Sequence, residues 1–261
     1  MITSTGNARV KNVIQLQTRA RARKDSRQFV AEGFRMVSEA PADRIVSIYA
    51  SETFARCNSG YMSTIQVPYE TVSDNVFAQM SDTRTPQGIL AVIKMAEYGI
   101  GDIIAHDNGL YVIVENLQDP GNLGTIIRMS EAAGVDGIIM SPNTVDIYNP
   151  KTIRSTMGSL YRVPFVYADD FAGTLEQMKS KGVELYAAHL EGSVEYTEPD
   201  YTKASAFVIG NEGNGLTDAV TNICSNRIRI PMAGKVESLN AAIAASVLTF
   251  EAARQRRNGK G

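Results

Sequence analysis

From Leu110 onward the chain alternates short apolar runs with helical patterns, and that rhythm leaves few architectures open. Strand-like runs fall at 111–115, 137–140, 164–167, 184–187, 206–209 and 227–230. Helical spacing falls near 122–133, 150–160, 171–181, 216–223 and 238–254. Apolar runs without polar alternation are strands buried on both faces, and strands separated by helices pair in parallel. The expected fold is therefore α/β, a mainly parallel sheet covered by helices on both faces. Residues 1–95 read as a separate small α/β domain, with helical spacing at Val13, Leu16 and Ala20 and a clear strand over 87–93. Residues 96–109, ending in the turn His106-Asp107-Asn108-Gly109, form the expected linker to a second domain over 110–261.

Three loops at expected strand ends share one character. The first is Asn116-Leu117-Gln118-Asp119-Pro120-Gly121-Asn122, followed by Gly124 and Arg128. The second is Gly210-Asn211-Glu212-Gly213-Asn214-Gly215, and the third runs from Ile230-Pro231-Met232 through Glu237-Ser238-Leu239-Asn240. Polar loops at strand ends in one α/β domain can build one pocket. They offer amides, an arginine and a glutamate, a set suited to a polar cofactor and a transfer reaction. Asn122 reads as the N-cap of the first helix, with Arg128 on the same face as Gly124 and its stem half-buried. Ser238 reads as the cap of the final helix, with Asn240 in its first turn. Each loop also has a plainer reading, as a tight turn with a capped helix. The second lacks the Gly-Lys-Ser/Thr of a phosphate loop and the Gly-x-Gly-x-x-Gly of a dinucleotide fold. His106 and His189 have no metal-spaced partners, so no metal is expected.

The net charge is only -2, but residues 1–35 carry Arg9, Lys11, Arg19, Arg21, Arg23, Lys24, Arg27 and Arg35 against Asp25 and Glu32. Arg254, Arg256, Arg257 and Lys260 crowd the other end, and Arg154 lies between. Basic ends on a mildly acidic chain fit a nucleic acid held through its phosphates; the alternative is a solvated helix face and a frayed tail. Cys57 and Cys224 cannot form a disulfide framework, and no apolar stretch reaches bilayer length. With no signal-peptide pattern at the N-terminus, a cytoplasmic protein is expected. The small residues of the last helix allow burial from two sides, in a core or across a dimer.

The three loops resemble the three motifs of the SpoU/TrmH family of RNA ribose 2'-O-methyltransferases. Residues 116–128, 209–216 and 230–240 carry that likeness. Asn7, Val10-Lys11, Arg27 and Glu32-Gly33-Phe34-Arg35 more loosely resemble the ribosomal-protein-like domain by which many members hold substrate. The resemblance implies a deep trefoil knot in the C-terminal domain, which the prior against knots would never propose. It also implies S-adenosylmethionine as cofactor, a homodimer through the C-terminal domain, and structured RNA as substrate, ribosomal RNA favoured over transfer RNA. Carried over residue by residue, Asn122, Arg128, Glu212, Ser238 and Asn240 form the polar catalytic site. Gly210, Asn211, Gly213, Ile230, Met232, Ser238 and Leu239 hold the cofactor. Arg9, Lys11, Arg19, Arg21, Arg23, Lys24, Arg27, Arg35 and Arg154 hold RNA. Two other readings stay open: an RNA-binding or ribosome-assembly protein with a vestigial pocket, and an unrelated nucleotide-dependent oxidoreductase, against which the missing glycine fingerprint counts.

Overall fold

A computed structural model of the chain describes residues 1–190, 194–236 and 238–259. Glu237 of the third loop and Lys260 of the basic tail lie outside the described residues. The chain divides into two compact units, one of residues 1–96 with 146–161 and one of residues 97–145 with 162–261.

The first unit is built on a mixed sheet of β1 (Gln28–Glu32), β2 (Ile45–Ser51), β3 (Tyr69–Val72) and β4 (Ile89–Lys94), in the order β1-β4-β2-β3. β4 runs antiparallel to β1 and β2, while β2 and β3 are parallel. Helix Ala8–Thr18 buries Val10, Val13 and Leu16, three residues apart, against Val30, Leu90 and Val92 of the sheet. The segment 146–161, expected in the second domain, packs into this unit. The Tyr161 hydroxyl donates to the Met36 carbonyl at 2.8 Å, and the rings of Tyr148 and Phe29 lie 4.7 Å apart. The helix expected over 150–160 stops at Thr156, because Met157 (φ 52°) and Gly158 (φ 97°) turn left-handed before a short 3-10 turn, Ser159–Tyr161.

The second unit carries β5 (Leu110–Val114), β6 (Gly137–Met140), β7 (Phe165–Tyr167), β8 (Glu184–Ala188), β9 (Val194–Glu195), β10 (Ser205–Ile209) and β11 (Asn226–Arg229). Their order is β7-β6-β5-β10-β8-β11-β9, and every pairing is parallel. β5 and β10 lie side by side near the middle with every residue buried, as uninterrupted apolar runs require. Tyr111 and Ile113 point to one face and pack with Leu175, Met178 and Val220 of helices Phe171–Ser180 and Asp218–Ile223. Helices Pro120–Ala133 and Ala241–Asn258 pack on each other, and the latter also against β10. From β5 the chain steps outward through β6 to β7, then crosses to build the other half of the sheet. The strand order therefore switches between β5 and β10, where such sheets place their sites. Among the described residues no helix is long and apolar enough to cross a membrane.

Candidate active site

The first loop leaves β5 at this switch point. Glu115 extends the ladder, its amide donating to the Ile209 carbonyl at 2.9 Å. Asn116 then turns left-handed (φ 52°), a conformation asparagine tolerates better than most residues. Ser141 secures it, accepting from the Asn116 amide at 2.8 Å and donating to its Oδ1 at 3.0 Å. The Gln118 side-chain amide donates to the carbonyls of Asn116 and Asn143, each at 2.9 Å. The N-cap of helix Pro120–Ala133 is Asp119, not Asn122: its Oδ1 accepts from the Asn122 amide at 2.8 Å, with Pro120 in the first turn. Asn122 thereby keeps its side chain for other partners.

The second loop closes on itself. Asn211 and Gly215 exchange two backbone hydrogen bonds of 3.0 Å, and Asn211 Oδ1 accepts from the amides of Gly213 and Asn214. A Cβ on Gly210 would sit 2.2 Å from the Gly215 carbonyl carbon, so only glycine permits this closure. Asn211 Nδ2 reaches the Asn116 carbonyl at 2.7 Å and ties the second loop to the first. A second tie was not foreseen from sequence. Glu115, only 5% exposed, accepts from the Thr217 amide at 2.9 Å and hydroxyl at 2.7 Å, while Thr217 caps helix Asp218–Ile223. The threonine-aspartate pair opening a helical pattern was the available signal.

One chain of side-chain hydrogen bonds joins all three loops. Glu212 Oε1 accepts from Asn122 Nδ2 at 2.9 Å and from the Asp119 amide at 3.1 Å, and its Oε2 accepts from the Gln118 amide at 3.2 Å. Asn122 Oδ1 in turn accepts from Asn240 Nδ2 at 2.9 Å. Asn240 Oδ1 accepts from the amides of Ala242 and Ile243, so Asn240, rather than Ser238, caps helix Ala241–Asn258. A carboxylate only accepts and a helix N-terminus only donates, so both asparagine amides can take one orientation alone. Burial alone would raise the Glu212 pKa. Hydrogen bonds from Asn122, its own amide and those of Asp119 and Gln118 outweigh it and hold the group below its ordinary value. Glu212 is thus a fixed anion that orients Asn122.

Arg128 lies on helix Pro120–Ala133 and is exposed, not half-buried; among the described residues it makes no hydrogen bond or ion pair. Ser238 and Gly213 are also exposed, while Gly210, Asn211, Ile230, Met232 and Leu239 are half-buried. Of the basic residues, Arg23 is 4% exposed and spent on Asp146 at 2.6 Å and the Leu16 carbonyl at 2.8 Å, so it holds the first unit together rather than facing a phosphate. Arg154 pairs with Asp82 at 2.6 Å, Arg35 with Glu39 at 2.8 Å and Arg21 with Asp25 at 3.4 Å, and Arg9 pairs with Glu70. Lys11, Arg19, Lys24 and Arg27 are exposed. Among the described residues no cluster of His, Cys, Asp or Glu could hold a metal ion. Burial pushes the Cys224 thiol up to about 12, which suits a structural position and not a nucleophile.

The third loop supplies what a polar cofactor with an aromatic ring needs. Among the described residues, the backbone groups of 231–236 and 238–239 enter no hydrogen bond. Beside them lie the half-buried apolar side chains of Ile230, Met232 and Leu239. Backbone amides and carbonyls next to apolar walls suit the adenine, ribose and amino-acid parts of S-adenosylmethionine.

Known proteins agree with this chemistry. Residues 109–250 match the SpoU rRNA Methylase family, and residues 7–91 match the MRM3-like substrate binding domain. Over 250 residues the chain is 32% identical to the 23S rRNA (guanosine(2553)-2'-O)-methyltransferase RlmP of Bacillus subtilis (strain 168), covering 95% of this chain and 97% of that protein. It superposes on the SpoU methyltransferase AviRb from Streptomyces viridochromogenes in complex with AdoMet with a TM-score of 0.87 and 26% identity, covering 96% and 98% of the two chains. The AdoMet-bound rRNA methyltransferase from Sinorhizobium meliloti gives a TM-score of 0.85 and 30% identity, covering 97% of each. The chain belongs to the SpoU rRNA Methylase family. It is an RNA 2'-O-methyltransferase, and its cofactor is S-adenosylmethionine.

Proposed function

We propose that this enzyme methylates a ribose 2'-hydroxyl of ribosomal RNA, with Arg128 gripping the phosphate beside the target ribose. The observation that carries this reading is the Glu212–Asn122–Asn240 chain, which joins all three loops beside the helix bearing Arg128, a residue with no partner among the described residues. S-adenosylmethionine, when bound, supplies an electrophilic methyl group. The protein's task is to place and activate the acceptor hydroxyl, and positioning alone is worth roughly 7–11 kcal/mol in well-aligned reactions. The planar guanidinium offers paired N–H donors that match a phosphate, so Arg128 serves as a phosphate clamp and not as the base. The phosphate it orients offers the hydroxyl proton a local path. Ser238, two residues before the capping Asn240, lies on the same loop as the cofactor-holding Met232 and Leu239. Gly210, Asn211, Gly213 and Ile230 complete the cofactor's surroundings.

The first unit holds the RNA, through Arg9, Lys11, Arg19, Arg21, Lys24, Arg27 and Arg35, in keeping with its match to a substrate-binding domain. Residues 110–261, apart from 146–161, carry the transfer chemistry. Ribosomal RNA is favoured because the Bacillus subtilis and Sinorhizobium meliloti relatives are named for it, and the cytoplasm is where it would be met. Helix Ala241–Asn258 exposes Ile243 (53%) and Phe250 (42%), with the half-buried Val247 between them on one stripe. That stripe forms the contact of a homodimer. The loops after β10 and β11 are read as the trefoil knot, supported by the last helix packing back onto helix Pro120–Ala133 after the chain leaves β11.

The test is incubation with labelled S-adenosylmethionine and separate ribosomal and transfer RNA from cells lacking the protein, followed by mapping. Label on a ribose of ribosomal RNA is expected. Label confined to transfer RNA, or none, overturns the proposal.

A further inference from the structure

We infer that the first unit stacks one unpaired base of its RNA on the ring of Phe34, with the Gln87 side-chain amide for the base edge and Arg84 for the phosphate. This rests on the reading of that unit as the RNA-holding part. Phe34 follows β1 directly after Gly33 and is 42% exposed. Its ring is held in place from the side. Tyr61 meets it edge-on, with centroids 4.8 Å apart and planes at 66°, and the Phe54 ring lies tilted at 6.4 Å. Neither neighbour stacks on the ring, so π surface stays open to solvent. The chain beneath is fixed too. Glu32, only 8% exposed, accepts from the Ser81 hydroxyl at 2.5 Å, the Thr83 hydroxyl at 2.7 Å and the Asp82 amide at 3.1 Å. That buried carboxylate pins segment 81–87 to the end of β1.

The pinned segment brings two polar groups to the ring. Gln87 Oε1 accepts from the Phe34 amide at 2.8 Å, so the side-chain amide has one orientation. Its Nε2 is left as a donor with no partner among the described residues. Arg84 is exposed and also has no hydrogen-bond or ion-pair partner among the described residues. It stands three residues before Gln87, so the two backbones are at most about 11 Å apart. The charges next to it are spent elsewhere, Asp82 on Arg154 at 2.6 Å and Arg35 on Glu39 at 2.8 Å. An open apolar ring alone suits a protein as well as RNA. A fixed donor and an uncompensated guanidinium beside it suit a splayed nucleotide, which offers a π-face, a hydrogen-bonding edge and a phosphate.

The test uses the full chain and large-subunit ribosomal RNA extracted from cells lacking the protein, with affinity read by filter binding. Phe34→Leu keeps an apolar side chain without a π-face and is expected to weaken binding about tenfold, while Phe34→Tyr stays within about twofold of the parent. Gln87→Glu keeps the acceptor for the Phe34 amide, loses the free donor and should weaken binding as well. Arg84→Ala should lower the slope of log affinity against log salt by about one. Unchanged thermal unfolding of the two Phe34 variants establishes that the first unit is intact. Phe34→Leu binding as well as Phe34→Tyr overturns the inference and marks the ring as an apolar contact for a protein. A salt slope unchanged by Arg84→Ala overturns the phosphate contact. Failure of the parent to methylate that RNA, with binding still dependent on the Phe34 ring, sinks the methylation reading and leaves this one standing.

Discussion

Asn122 donates its side-chain amide to the Glu212 carboxylate at 2.9 Å, across 90 residues of chain. Because the same asparagine accepts from Asn240, a change at Glu212 reaches the loop proposed to supply the cofactor's apolar walls. The carboxylate accepts from three donors of the first loop, which neither rotamer of a neutral amide can match. Glu212→Gln is expected to cost about 1 kcal/mol of stability, since one donor is left facing another in a partly solvated loop. It should also weaken S-adenosylmethionine binding. Urea unfolding and calorimetric titration of the variant check both, and parent-like values in both would remove Glu212 from its orienting role.

The same contact has a pH signature. The folded-state pKa of Glu212 lies below its ordinary value, so its contribution is complete above the unfolded value of about 4.3 and is lost as pH falls through the folded value. The stability gap between the parent and Glu212→Gln should be constant near neutrality and shrink below about pH 4. A gap that stayed constant into that acid range would mean the carboxylate gains nothing from its partners.

The exposed stripe on helix Ala241–Asn258 gives a prediction about assembly. Phe250→Glu places a charge within the proposed contact and should shift the protein from dimer to monomer in analytical ultracentrifugation, with little loss of thermal stability. A parent that sediments as a monomer excludes the dimer outright.

Much of this site was legible in the sequence because strand, loop and helix follow one another in short range. The apolar runs marked the strands of the parallel sheet, and the loops at their ends are the ones that meet. What escaped depended on partners distant in sequence. Arg23 looks like any member of a basic cluster until Asp146, 123 residues away, buries it. Met157 gave no local sign that it would turn left-handed and end its helix. Asp119 and Asn122 are both good caps, as are Ser238 and Asn240. The choice fell to whichever left Asn122 free for Glu212 and placed Asn240 beside it. The bond between Glu115 and Thr217 belongs to the same kind, since a carboxylate at a strand end shows its use only when the neighbouring strand is known.

In the proposed mechanism Arg128 acts on the RNA and not on the cofactor. The most direct measurement is methyl transfer to ribosomal RNA by Arg128→Ala, alongside its S-adenosylmethionine affinity by calorimetry. Turnover should fall at least about a hundredfold, as when a preorganised electrostatic contact is lost, while cofactor affinity stays within about threefold of the parent. Near-normal turnover in that variant would exclude Arg128 from the reaction.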